Sequence, residues 1–154
     1  MFWRQTKPDF VRNSGEPNKR ALKKLVTKGA PTGILAYSDS QPIGWCAIAP
    51  RQDLIKLEQH RTLKRLDDHP VWSVVCLFVA KSFRQQGVSV ALLKAAAEWA
   101  RSQGAQIVEG YPTEPGKKLP DPFVYTGLAS TFRKAGFVEV ARPARTRPIF
   151  RKDV

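Results

Sequence analysis

Arg84-Gln85-Gln86-Gly87-Val88-Ser89 is the stretch with the clearest chemical potential. Gly87 can bring the backbone against a ligand where a Cβ would clash. The apolar spacing that begins at Val88 predicts a helix, whose first N–H groups have no partner inside it. Such groups at the positive end of a helix dipole hold anions, phosphate above all. For proton transfer the first candidates are Glu109, as a base acting directly or through water, and Tyr125, as an acid. Each also has a plain structural reading: Glu109 suits a salt bridge at a sheet edge, and Tyr125 a packed ring with its hydroxyl capped. Ser130 and Tyr111 come next, while His69, beside Pro70, reads as a surface residue. Cys46 and Cys76 lie inside apolar runs and read as buried free thiols. His60 and His69 have no ligand-like spacing, so no metal is expected.

The elements around these residues follow from hydrophobic period. Val71 to Val79 is almost continuously apolar and predicts a strand covered on both faces. Val88, Leu92, Ala95, Ala96 and Trp99 predict the stripe of a helix, with Gly104 as its stop. Upstream, Gly15-Glu16-Pro17-Asn18 opens a helix that buries Ala21, Leu22, Leu25 and Val26 and ends at Gly29. Strands are expected at Gly33 to Tyr37 and Ile43 to Ile48, joined through Ser38 to Pro42. Asp53 to Leu66 reads as partly helical, with Leu54, Leu57 and Leu63 on the core. Gln106 to Tyr111 is a short strand, and the proline-rich Pro112 to Thr126 is long enough to be functional. A short helix, Gly127 to Ala135, turns Leu128, Thr131 and Phe132 inward. Strands at Phe137 to Val140 and Thr146 to Arg151 close the chain.

At 154 residues the chain suits a single domain, 1–154. Its 42% hydrophobic content and its aromatic residues (Phe 8, Trp 4, Tyr 3) argue against disorder. No apolar run approaches a membrane span, and a soluble cytoplasmic protein is the expectation. Lys and Arg outnumber Asp and Glu by 26 to 13, a formal charge of +13, so polyanions are attracted. A basic RNA- or ribosome-binding protein therefore stays open as an alternative, although no nucleic-acid motif accompanies the charge.

The run Leu77-Phe78-Val79 followed by Arg84-Gln85-Gln86-Gly87-Val88-Ser89 resembles motif A of the GNAT superfamily of acyl-CoA-dependent N-acyltransferases. Pro42-Ile43-Gly44-Trp45 is similar to that family's third strand, and Phe132-Arg133-Lys134-Ala135-Gly136-Phe137 to its motif B ending. In order, these cover roughly Gly33 to Arg151. Phrases such as Gly44-Trp45-Cys46 and Glu109-Gly110-Tyr111-Pro112 are most similar to small bacterial members of unassigned substrate. The resemblance implies an α/β fold with a mixed, mostly antiparallel sheet flanked by helices and a splayed pair of central strands. It implies acetyl-CoA as co-substrate, a primary amine as acceptor, direct transfer, and commonly a homodimer. Leu77, Phe78 and Val79 would meet the pantetheine arm, and Arg84, Gln85, Gln86, Gly87, Val88 and Ser89 the pyrophosphate. Pro112 to Thr126 would wall the acceptor site. Two family positions differ: the usual tyrosine acid falls at Phe132, and a glutamate base found in some members falls at Ser73. A non-catalytic acetyl-CoA-binding module is the alternative that these two changes leave open.

Overall fold

The computed structural model describes residues 1–114 and 124–154. Two helices lead: α1 (Lys7–Arg12) and α2 (Glu16–Thr27). The strands β1 (Ile34–Ser38) and β2 (Gln41–Pro50) follow, then the short α3 (Ile55–Glu58) and the central strand β3 (Trp72–Val79). After the long α4 (Val88–Ser102) come β4 (Ile107–Gly110), α5 (Ala129–Lys134), β5 (Val138–Ala144) and β6 (Arg147–Asp153). The six strands form one sheet in the order β1-β2-β3-β4-β6-β5. Among the described strands only β3 and β4 run parallel, so the sheet is mixed and mostly antiparallel, as expected.

No apolar period announces α1, because none of its residues is buried. A cap defines it instead: Thr6 accepts from the Asp9 N–H, and Pro8 sits in the first turn. The hairpin between β1 and β2 is tighter than the spacing suggests, closing through Asp39 and Ser40 with Asp39 at φ 53°. Leu54, Leu57 and Leu63 are buried as expected.

Helix α4 lies across the sheet on Leu92, Leu93, Ala96, Ala97 and Ala100, and Ala95 faces solvent. The expected stripe was thus rotated by one position, since Ala carries little weight in fixing a helical phase. Each leucine so buried contributes about 1.5–3 kcal/mol. Close approach is possible because β2 carries Gly44: a Cβ there would stand 3.0 Å from Leu92 Cδ1 and 3.1 Å from the Phe78 carbonyl oxygen. In α5, Phe132 is fully buried as expected, but Ala129 is its buried companion, and Leu128 is exposed.

The sheet divides the core in two. One face, under α4 and α5, gathers Val74, Leu93, Phe132 and Phe150; the other, under the N-terminal segment and α3, gathers Trp3, Leu57, Val75 and Tyr111. Cys46 opposes Leu77 and Cys76 opposes Ala47 across β2 and β3, so the pleat turns the two thiols to opposite faces and both are free.

Candidate active site

Two irregularities in β3 shape the site. Its pairing with β2 shifts between Ala47 and Ile48, leaving Val75 as the extra residue of a bulge. Its parallel pairing with β4 covers three residues only, Trp72 with Val108, Ser73 with Glu109 and Val74 with Gly110. Beyond Val74 the strands part. The Leu77 N–H instead donates to the Tyr125 carbonyl at 2.7 Å.

At the far end of β3 the chain enters the turn before α4. Gln85 (φ 61°) and Gly87 (φ 81°) both adopt left-handed backbone, and Gly87 is the residue from which α4 starts. The N–H groups of Gln86, Gly87, Val88 and Ser89 have no acceptor among the described residues, while the Gly87 carbonyl accepts from Val90 and Ala91. Apart from its chain neighbours, no described residue lies within 4 Å of where a Gly87 Cβ would stand, and the left-handed angle there favours glycine by itself. Arg84 folds back, its Nε donating to the Val79 carbonyl at 3.0 Å, and Gln86 reaches the Ser82 carbonyl. Phe78, 54% exposed, projects outward beside them, and Val79 is buried. All nine residues expected to hold a cofactor therefore lie along one path, from Leu77 to the first turn of α4.

On the other face of β3 lies a cavity of about 370 Å³, within the roughly 300–1,000 Å³ usual for small-molecule sites. Phe2, Trp3, Trp45, Leu54, Cys76 and Tyr125 contribute walls, and Val75 of the bulge borders it. Tyr125 is clamped to the strand through its carbonyl, so its ring is held at this cavity. Burial raises the phenol's pKa and the nearby Arg147 opposes that rise; the hydroxyl keeps its proton at neutral pH. Arg147 is itself held by the hydroxyls of Thr113 and Thr126, at 2.9 and 3.1 Å. Sequence reasoning passed over this arginine, and Phe2, Trp3 and Trp45 as well. Only the fold brings them to Tyr125. Most of the expected wall, Pro112 to Thr126, lies outside the described residues.

Glu109 lies elsewhere. It is 1% exposed and does not line the cavity. Its Oε1 accepts from Arg51 Nη1 (3.1 Å) and the Tyr111 hydroxyl (2.5 Å), and its Oε2 from Arg151 Nε (2.7 Å). Arg51, also buried, continues to Glu58 and the Leu63 carbonyl, and Arg151 to Asp67. Burial, with the Glu109 carboxylate second, pushes the Tyr111 phenol well up, so Tyr111 stays a donor. This arrangement favours the salt-bridge reading of Glu109 over the base. Ser73, across from Glu109 in register, shares a 2.9 Å hydrogen bond with the Tyr111 hydroxyl.

The model of the acetyltransferase (GNAT) family matches residues 1–115. The chain belongs to the GNAT acetyltransferases. As such it is an acyltransferase whose co-substrate is acetyl-CoA. Among solved structures, this GNAT protein is similar to a ribosomal-protein-alanine N-acetyltransferase from Brucella melitensis, with 16% identity, 91% of this chain and 80% of that one covered, and a TM-score of 0.58. It is similar to the PaiA N-acetyltransferase from Thermoplasma acidophilum, in complex with coenzyme A, at 14% identity, 97% and 80% coverage and a TM-score of 0.57. A Bacillus subtilis acetyltransferase in complex with CoA gives 15% identity, 97% and 94% coverage and a TM-score of 0.51. At such identities the likeness is one of fold. No curated protein matches the sequence. Within this GNAT fold Phe132 packs on Phe137 and Phe150 in the core, so its ring fills space and offers no proton.

Proposed function

We propose that the chain, as one domain over residues 1–154, transfers the acetyl group of acetyl-CoA to a primary amine by direct attack. The observation that carries this is the turn before α4, with N–H groups that find no acceptor among the described residues and left-handed Gly87 at the end of a splayed strand. It fits a pyrophosphate, because several donors and the helix dipole converge there. Gln85, Gln86, Gly87, Val88 and Ser89 would hold the phosphates through their backbones, with Arg84 adding charge. Leu77, Phe78 and Val79 would flank the pantetheine arm. A cytoplasmic setting, in which Cys46 and Cys76 stay reduced, belongs to the same reading.

When bound, acetyl-CoA supplies an acyl carbon on a thiol leaving group: the amine nitrogen bonds to that carbon as the carbon–sulfur bond breaks, sulfur takes the Tyr125 proton, and the proton that nitrogen gives up returns through water to the Tyr125 phenolate. Tyr125 is the proton donor in this proposal, held at the cavity by the Leu77 N–H. Glu109 acts as a positioning residue, fixing the β4 end of the gap through Arg51 and Arg151. The rest of the acceleration comes from holding the two reactants together.

Calorimetric titration with acetyl-CoA, coenzyme A and ADP tests the reading. Acetyl-CoA binding that needs the pantetheine arm and weakens at least tenfold in Gly87→Val is expected. Unchanged affinity in that variant would overturn the pyrophosphate assignment.

A further inference from the structure

The cavity beside the β3 bulge carries information about the acceptor. Its walls are aromatic and aliphatic, and among the described residues the one charged side chain that lines it is Arg4. Arg4 is largely buried, hydrogen-bonds the Pro31 carbonyl, and has its nearest carboxylate, Asp53, at 3.8 Å. Burial lowers its pKa, opposed by Asp53, but a guanidinium stays protonated.

These features select among amines. An alkylammonium would enter a site whose charged wall residue has its own sign, and would be stripped of water there. Lowering a lysine-like amine from its pKa of about 10.4 to neutrality at pH 7 costs roughly 4.6 kcal/mol unless a base assists. Glu109, with three donors on its two oxygens, is engaged outside the cavity. An amine attached to an aromatic ring is weakly basic and enters neutral. An anionic group on the same ring would answer Arg4.

We propose that the cavity lined by Trp3, Arg4, Trp45 and Tyr125 takes an aromatic primary amine bearing an acidic substituent, and that this is the acyl acceptor. The acceptor role rests on the acyl-transfer reading above; the binding of such a ligand does not. The bulge at Val75 and the phenol of Tyr125 border the cavity, so the amine would meet the acyl group from this face.

The test uses four probes, 4-aminobenzoate, 4-methylaniline, 2-phenylethylamine and spermidine, first for binding by quenching of tryptophan fluorescence without acetyl-CoA. 4-Aminobenzoate should bind tightest and spermidine weakest. Arg4→Met should weaken 4-aminobenzoate at least tenfold and 4-methylaniline less than twofold. Equal loss for both, or tighter binding of either alkylamine, would overturn the proposal. Turnover is then measured at saturating acetyl-CoA. Acetylation of 4-aminobenzoate at a rate flat between pH 6.5 and 8.5, where 2-phenylethylamine rises about tenfold per unit, is expected. Binding of 4-aminobenzoate without its acetylation would overturn the acceptor role. Failure of acetyl-CoA itself to bind would remove the acyl-transfer reading, leaving the ligand-binding result to stand separately. A folded Arg4→Lys variant, in which charge is kept and 4-aminobenzoate affinity is partly restored, separates loss of charge from loss of structure.

Discussion

The turn before α4 and the cavity on the opposite face share strand β3, yet they are made of different material. The turn offers main-chain N–H groups set by two left-handed residues, Gln85 and Gly87. The cavity is built from side chains drawn from residues 2–4, 45, 54, 75–76 and 125. A site made of backbone tolerates changes of side chain and fails when a dihedral angle becomes inaccessible. A site made of side chains does the reverse, and depends on whatever holds distant segments in place. Glu109 belongs to that supporting structure.

The comparison breaks first at Glu109. Glu109→Ala leaves the buried Arg51 guanidinium without its most buried carboxylate, and removing one partner of a buried ion pair costs about 3–5 kcal/mol. A large fall in the urea midpoint is expected. Glu109→Gln, which keeps an acceptor for the Tyr111 hydroxyl, should lose less stability and retain much of its turnover. Full stability with abolished turnover in Glu109→Gln would return Glu109 to the role of base.

Tyr125→Phe comes next. Because Leu77 holds the residue through its backbone, the variant should fold and bind acetyl-CoA normally, while kcat falls about 10²-fold if the hydroxyl gives the proton. An unchanged kcat would leave positioning as the whole mechanism.

The smallest effect concerns acid. Hydrogen bonds from Arg151, opposed by burial and helped by His69, pull Asp67 down to about 2. A carboxylate depressed on folding adds stability above its unfolded pKa of about 3.9, and that stability is lost as pH falls through the folded value. The Glu58 carboxylate behaves likewise: burial raises it, but Arg65 and Arg51 together bring it lower. The urea midpoint should therefore decline between pH 4 and about 2 and change little from pH 5 to 7 on their account. In Asp67→Asn the decline should be shallower.

The same difference of material explains what the sequence discloses. The turn is contiguous, so strand, Gly87 and helix could be read together, and the mixed, mostly antiparallel sheet followed from the family resemblance that they carry. The phase of α4 was misjudged by one position because its middle, Ala95-Ala96-Ala97, carries little weight in fixing a helical phase. Helix α1 carries its signal in Thr6, Pro8 and Asp9, which a search for hydrophobic period passes over. The cavity was out of reach: nothing in the spacing of Trp3, Trp45 and Tyr125 implies that they meet. Glu109 was visible as a carboxylate on a splayed strand, but its role depends on Arg51 and Arg151, placed by the loop after β2 and by β6.

On the proposed reading, the bond from the Leu77 N–H to the Tyr125 carbonyl would tie the cofactor path and the acceptor cavity into one equilibrium. A pantetheine arm packed along β3 beside this bond would hold the segment that carries the phenol in place, so occupancy of one site would steady the other. Such linkage is reciprocal: whatever factor acetyl-CoA applies to acceptor affinity, the acceptor applies to acetyl-CoA. The order in which the two ligands arrive would then be a property of a single hydrogen bond.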